Sequence, residues 1–258
     1  INEIYKVCHV SNINFRNVLN LAKSKWNFIP FEPGLVGGHC LPVDPYYFSY
    51  FAKKKGAKTN IILNGRKTNN SMTNFIGEYQ IHDSICDKLI EHYHNSDKVE
   101  GKVGNYQVNT DIKHSVDVGV DFKSSILIKE YIKELKIILN KYCNRYIWAD
   151  RETPEFDIVE SFNIQHYPPG GGFKSWHYEQ SFLPDAVKRN HHKRHLVFMT
   201  YLNDVTDEGE TEFFYQRRYV QPRKGLTVIW PAGWQHTHRG IPSPSQEKYI
   251  ITGWVSYV

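Results

Sequence analysis

His177 and Glu179, separated by one residue, are followed far downstream by His238 and then by Lys248. Two imidazoles and a carboxylate can hold one face of an Fe(II) ion, leaving the remaining positions for an organic co-substrate and dioxygen. Side chains at i and i+2 of a strand share a side, so a strand would bring His177 and Glu179 to one metal while Tyr178 turns away. Any one imidazole among 13 histidines is more often a surface or core residue. The weight lies in the ordered combination of pair, distal histidine and downstream lysine. Lys248 opens the run Lys-Tyr-Ile-Ile-Thr-Gly-Trp, whose period of two puts Ile250, Thr252 and Trp254 on its own face. That aims an ammonium at an apolar interior, where a carboxylate ligand would stabilise it. The alternative is a lysine that snorkels out at the strand end.

The elements that must position these groups show in the change of texture near residue 73. Ser84 with Asp87 reads as a capping box for a helix with Ile85, Leu89 and Tyr93 on one face. A second helix over about 124–143 carries Ile128, Tyr131, Ile132, Leu135, Ile138, Leu139 and Tyr142 as an apolar stripe. The period then shifts to two, predicting strands near 158–167, 172–178, 195–202, 211–216, 226–230 and 248–257. Two helices followed by short strands and Pro/Gly turns argue for an α+β fold: a helix-backed double-stranded β-helix, or jelly roll, behind a small all-α N-terminal segment. Residues 1 to 72 read as short helices around a glycine-rich loop, Gly34 to Gly38, with no preceding strand that would make it a dinucleotide fingerprint.

Composition narrows the function classes. At 258 residues, 40% hydrophobic and 14% aromatic, the chain is globular in character and long enough for one large domain or two small ones. The net charge of +5 comes from interspersed basic residues, weak support for a nucleic-acid partner. The clusters Lys188 to Arg194 and Arg217, Arg218, Arg223, Lys224 read as a solvated loop and a strand end. Cys8, Cys40, Cys86 and Cys143 form neither a zinc pattern nor a disulfide ladder. No apolar run is long enough for a bilayer and no signal pattern appears, so no membrane contact and a reducing cytoplasm are expected. The chain lacks an initiator Met, which leaves a lost leader open.

From about 73 to 258 the chain resembles the Fe(II)/2-oxoglutarate-dependent oxygenases, and among them the prolyl-4-hydroxylase-like group. The resemblance rests on Tyr167-Pro-Pro-Gly-Gly-Gly before His177, Tyr201-Leu-Asn-Asp, Glu208-Gly-Glu-Thr-Glu-Phe213, and Trp230-Pro-Ala-Gly-Trp-Gln-His-Thr-His-Arg-Gly240 leading to Lys248. It implies His177, Glu179 and His238 as iron ligands and Lys248 as anchor of the distal carboxylate of 2-oxoglutarate. It also implies that Tyr201 and Thr252 help seat that co-substrate and that Tyr167 lines the same pocket. His236 competes with His238, and the spacing to Lys248 favours His238. The activity implied is hydroxylation of a peptide, such as peptidyl proline, or of a small molecule or sugar. It would consume O2 and 2-oxoglutarate, release succinate and CO2, and use ascorbate as reductant. One departure stands out: the family's carboxylate ligand is usually Asp, and Glu179 carries an extra methylene.

Residues 1 to 72 resemble the central helical region of the UDP-glucose/GDP-mannose type of nucleotide-sugar dehydrogenases, through Phe31-Glu-Pro-Gly-Leu-Val-Gly-Gly-His-Cys-Leu-Pro-Val-Asp-Pro-Tyr-Tyr47. That resemblance implies a thiol nucleophile at Cys40 assisted by Asp44, here the vestige of a dehydrogenase site, and a homodimer through the N-terminal helices. Without it, Cys40 reads as a small buried hydrophobe. Two further functions stay in view: a fragment of an NAD-dependent dehydrogenase, and a non-catalytic binding module on the oxygenase fold.

Overall fold

Helix and strand periodicities decide how the second segment packs. The computed structural model describes residues 8, 13–24, 74–104, 107–120 and 126–258, and the chain divides into two units, Ile1–Asn74 and Phe75–Val258. In the first, helix α1 (Phe15–Lys23) is capped by the Asn14 side chain, which accepts from the amide of Asn17. Cys40, Asp44, the glycine-rich loop and most of the segment expected to form a dimer lie outside the described residues.

In the second unit, α2 (Asp83–His94) buries Ile85, Cys86, Leu89 and Tyr93 on one face. The expected capping box does not form. The helix starts before Ser84, whose amide is then itself one of the first-turn donors that need an acceptor, and His82 Nδ1 supplies it at 3.3 Å. Asp87 turns outward to pair with Lys224. Helix α3 (Ile126–Arg145) buries Ile128, Tyr131, Leu135, Ile138, Leu139 and Tyr142, with Ile132 partly buried.

Two antiparallel sheets follow. The larger contains β1 (Gly77–Gln80), β2 (Val99–Glu100), β3 (Val116–Val120), β4 (Phe156–Asp157), β5 (Phe162–Tyr167), β6 (Arg194–Tyr201), β9 (Leu226–Pro231) and β11 (Lys248–Tyr257). Its order is β1-β9-β6-β11-β5-β3-β2, with β4 paired to β11. The smaller is β10 (His238–Gly240), β7 (Thr211–Phe213) and β8 (Arg218–Val220), in the order β10-β7-β8. Alternation divides the large sheet into two faces. Phe162, Ile164, Leu196, Phe198, Ile229 and Ile251 pack with α2 and α3. Tyr167, Val197, Met199, Tyr201, Trp230 and Ile250 form a second cluster with Phe213 and Val220 of the small sheet.

The expected strand over 172–178 is absent as a ladder; isolated bridges at Phe173 and His177 replace it. The strand expected over 211–216 stops at Phe213, and the chain turns through Arg217 in the left-handed region, φ 46°. β3 was not anticipated: Asp117 and Gly119 interrupt the apolar run Val116, Val118, Val120. Among the described residues no helix is long and apolar enough to cross a membrane.

If α3 is held by its apolar stripe, Leu135→Ala should lower unfolding free energy by about 2–5 kcal/mol. Ile137→Ala, at a site 45% exposed, should cost less than about 0.5 kcal/mol. Urea denaturation of the two variants checks this, and equal losses would mean the helix is rotated.

Candidate metal centre

The two histidines of the candidate site are held by backbone before any side chain is considered. His177 and His238 exchange amide-to-carbonyl bonds, at 3.0 Å and 2.9 Å, as an isolated antiparallel bridge. The next contacts break the ladder: the amides of Glu179 and Gln180 both donate to Ala232 O, at 3.1 and 2.9 Å. Sharing one acceptor ends the alternation a strand requires. The local extension nevertheless keeps the i, i+2 relation, with Tyr178 48% exposed.

One nitrogen or oxygen from each of His177, Glu179 and His238 lies within 4.8 Å of the others. Glu179 Oε1 is 3.5 Å from His177 Nε2 and 3.9 Å from His238 Nε2. Each imidazole is oriented from behind: His177 Nδ1 bonds Ser175 O at 2.9 Å and His238 Nδ1 bonds His236 O at 2.9 Å. A carbonyl can only accept, so Nδ1 carries the hydrogen and the Nε2 lone pair points at the cluster. The ring of His177 also stacks on Phe173, centroids 3.8 Å apart. Burial, with His177 alongside, pushes His238 down to about 3, so it is a neutral donor at ordinary pH. Burial alone would raise the Glu179 carboxyl, but His177, Arg194, His238 and the Trp254 hydrogen bond outweigh it and hold it below the usual range. A neutral imidazole at His238 and an ionised carboxylate at Glu179 are protonation states that suit a divalent metal. The competing imidazole, His236, is buried in the short turn Trp234–His236, and what it brings to the cluster is its carbonyl.

The outer oxygen of the carboxylate faces different partners. Glu179 Oε2 accepts from Trp254 Nε1 at 2.9 Å and from Arg194 Nη1 at 3.3 Å. Arg194 in turn binds Glu160 at 2.8 Å and lies 3.5 Å over the Trp254 ring. Sequence reasoning missed this arginine, placing it in a solvated cluster; it is only 6% exposed. The other basic cluster is paired at the surface, Arg218 and Arg223 with Glu78 and Lys224 with Asp87.

Lys248 opens β11 opposite Tyr167, so it does not snorkel out and is buried. Its ammonium donates to Gly209 O at 2.7 Å and Ile241 O at 3.1 Å and sits 5.4 Å above the Tyr167 ring. An ammonium has three donors, so one remains for a further acceptor. Desolvation pushes Lys248 down to about 8, with Glu210 opposing. The Tyr167 hydroxyl donates to Gln165 Oε1 at 2.6 Å, Tyr201 shares a 2.6 Å bond with Thr211, and Thr252 donates to Phe198 O at 3.2 Å. Lys248, Tyr167, Tyr201 and Thr252 line one cavity of about 1100 Å³ together with His177, Glu179 and His238. A buried Lys113–Asp117 pair, 2.7 Å, forms part of the same wall and had no signal in the sequence. Cys86 and Cys143 are buried, and desolvation pushes each thiol up to about 11, which leaves them unreactive.

With this geometry in place, the comparisons with known proteins fall into two parts. Residues 162–256, which include the whole cluster and Lys248, match the 2OG-Fe(II) oxygenase superfamily. Residues 1–71 match the UDP-glucose/GDP-mannose dehydrogenase family, central domain. The front segment is similar to UDP-N-acetyl-D-glucosamine 6-dehydrogenase of Salmonella typhi, 47% identical over 81 residues, 31% of this chain and 19% of that protein. The chain thus spans about a fifth of the length of the curated relatives it matches. Among solved structures, a viral collagen prolyl hydroxylase from Paramecium Bursaria Chlorella virus-1, in a 2OG complex, aligns at TM-score 0.54 and 20% identity, over 72% of this chain and 97% of that one. A prolyl hydroxylase of Trichoplax adhaerens, bound to a hypoxia inducible factor peptide fragment, aligns at TM-score 0.55 and 15% identity, over 79% and 95%. The mixed helix-and-antiparallel-sheet fold of this chain is therefore similar to that of prolyl hydroxylases.

The depressed Lys248 gives a stability signature. Between about pH 8 and the ordinary lysine range the unfolded chain binds more protons than the folded one, so this group makes stability rise with pH. The expected rise is about 1 kcal/mol from pH 8 to 9. Urea denaturation at these two pH values should show Lys248→Met lacking that increment, and an unchanged slope would mean Lys248 titrates normally.

Proposed function

We propose that residues 73–258 are an Fe(II)- and 2-oxoglutarate-dependent dioxygenase domain of jelly-roll type that hydroxylates a C–H bond of its substrate. In this reading His177, Glu179 and His238 hold iron, Lys248 binds the distal carboxylate of 2-oxoglutarate, and Tyr167, Tyr201 and Thr252 line that co-substrate's pocket. The observation that carries it is the pair of Nδ1-anchored imidazoles converging with an ionised carboxylate in the same cavity as a buried ammonium. Iron bound there supplies the oxidising chemistry, coupling loss of CO2 from 2-oxoglutarate to hydroxylation. One carboxylate and two neutral imidazoles offset only one of the two charges of a ferrous ion, so the pocket stays attractive to an anionic co-substrate. Lys248 adds a second positive anchor, with one donor left after Gly209 and Ile241. Met199, Ile250 and Trp230 in the cavity wall keep the region between these groups poor in water, which strengthens both attractions.

For the substrate, a peptide is the reading favoured by the fold, since the Trichoplax protein holds one. The match of residues 1–71 to a dehydrogenase domain supports reading that segment, with Cys40 and Asp44, as a partial dehydrogenase region joined to the oxygenase.

The test is metal uptake and succinate formation by the purified chain with Fe(II), ascorbate, O2 and 2-oxoglutarate. His238→Ala should abolish both, whereas His236→Ala, which keeps the backbone carbonyl that orients His238, should retain most of each. The reverse pattern would identify His236 as the ligand, and no uptake by the unaltered chain would discard the reading. Lys248→Ala should leave Fe(II) uptake intact and weaken 2-oxoglutarate binding by about 2–5 kcal/mol; unchanged co-substrate dependence would remove Lys248 from this role.

A further inference from the structure

We propose that Trp254 and Arg194 are positioning residues that hold Glu179 as a one-oxygen ligand, so that the glutamate and the tryptophan form a matched pair. The proposal rests on the metal reading of the cluster. A glutamate has one more rotatable bond than an aspartate, and beside two imidazoles it could swing away or turn both oxygens inward. Here the two oxygens are divided: Oε1 faces the Nε2 atoms of His177 and His238, while Oε2 is bound by the Trp254 indole and the Arg194 guanidinium. An indole N–H can only donate, so Trp254 fixes an oxygen without competing for the metal.

The support behind this contact is itself built. Arg194 binds both Glu160 oxygens, with contacts at 3.1 and 2.8 Å to Oε2, and Ser256 Oγ donates to Glu160 Oε1 at 2.6 Å. Arg194 then covers the Trp254 ring, leaving the indole little freedom to rotate. Charge is conserved in the arrangement: Arg194 and Glu160 offset one another, and the negative charge of Glu179 stays available to a cation.

A backbone irregularity delivers Arg194 to this place. Leu196 and Phe198 of β6 pack toward the helices, and strict alternation would send Arg194 the same way. Instead the register between β6 and β11 shifts at Val255/Ser256, pairing Ser256 with Arg194 and passing over His195. The bulge turns Arg194 to the cavity side, where it lines the same wall as Trp254 and Glu179. An aspartate at 179 would draw the carboxylate back by about one C–C bond, roughly 1.5 Å, too far to keep Oε1 at the cluster and Oε2 on the indole together.

The experiment is a Co(II) titration of the full chain, read by visible absorption, for the unaltered protein, Trp254→Phe, Glu179→Asp and the double variant. Trp254→Phe keeps the ring under Arg194 and should weaken Co(II) binding about tenfold and shift the absorption bands as the freed oxygen turns inward. Glu179→Asp should also bind more weakly than the unaltered chain, and adding Trp254→Phe to it should change nothing further. Equal or tighter binding by Glu179→Asp would overturn the proposal on that variant alone, even if the tryptophan variants fail to fold. An undiminished effect of Trp254→Phe in the aspartate background would overturn it too, because the contact would then be general packing. No Co(II) uptake by the unaltered chain would sink the metal reading instead, so the two failures are distinguishable.

Discussion

A carboxylate taken out of water must be surrounded by groups that favour its charge, and in this unit that requirement falls on Glu179. Left alone in a cavity wall it would take up a proton. Two imidazoles lie on one side of it and an indole and a guanidinium on the other, so it remains an anion. Each of those partners is fixed by something further out. Ser175 and His236 carbonyls orient the histidines, and Glu160 and Ser256 hold the arginine. The cluster is therefore oriented by the protein itself, with Glu179 held as the anion a cation would select.

The sheet architecture makes room for that arrangement. One face of the large sheet is closed by α2 and α3 through a largely apolar cluster, with the buried Tyr131–Thr200–Thr227 hydroxyls bonded to one another inside it. The other face meets the small sheet through Tyr201, Trp230 and Phe213, and opens elsewhere into the cavity. The central strands β5, β6 and β11 thus give one set of residues to the core and the alternate set to the cavity. β11 gives Ile251 and Val255 to the core, and Lys248, Ile250, Thr252 and Trp254 to the cavity. The buried ammonium at one end of this row and the indole-bound carboxylate at the other place two opposite charges on one strand face.

Residues 1–71 and 162–256 match two different family models. Only the second unit supplies a described cluster of groups able to bind a metal, and that cluster falls within the matched stretch 162–256.

Much of this was readable in the sequence because it depends on short-range geometry. Period 3.6 put Leu135 and Tyr142 on the buried face of α3, and period two put Ile250, Thr252 and Trp254 beside Lys248. The spacing of His177 and Glu179 put them on one side even though the expected strand did not form, because an extended backbone keeps that relation without a ladder. What the sequence did not contain was the set of partners reached across the fold. Arg194 looked like a member of a solvated basic run, and a register shift between its own strand and β11 buried it against Glu160. Ser84 looked like a cap, and the helix began early enough for His82 to take that role. Lys113 and Asp117 form their pair inside the cavity wall because β3 lies next to β5. Local periodicity determines which face a side chain takes, whereas pairing register and bulges determine what that face meets, and those depend on residues far away in the chain.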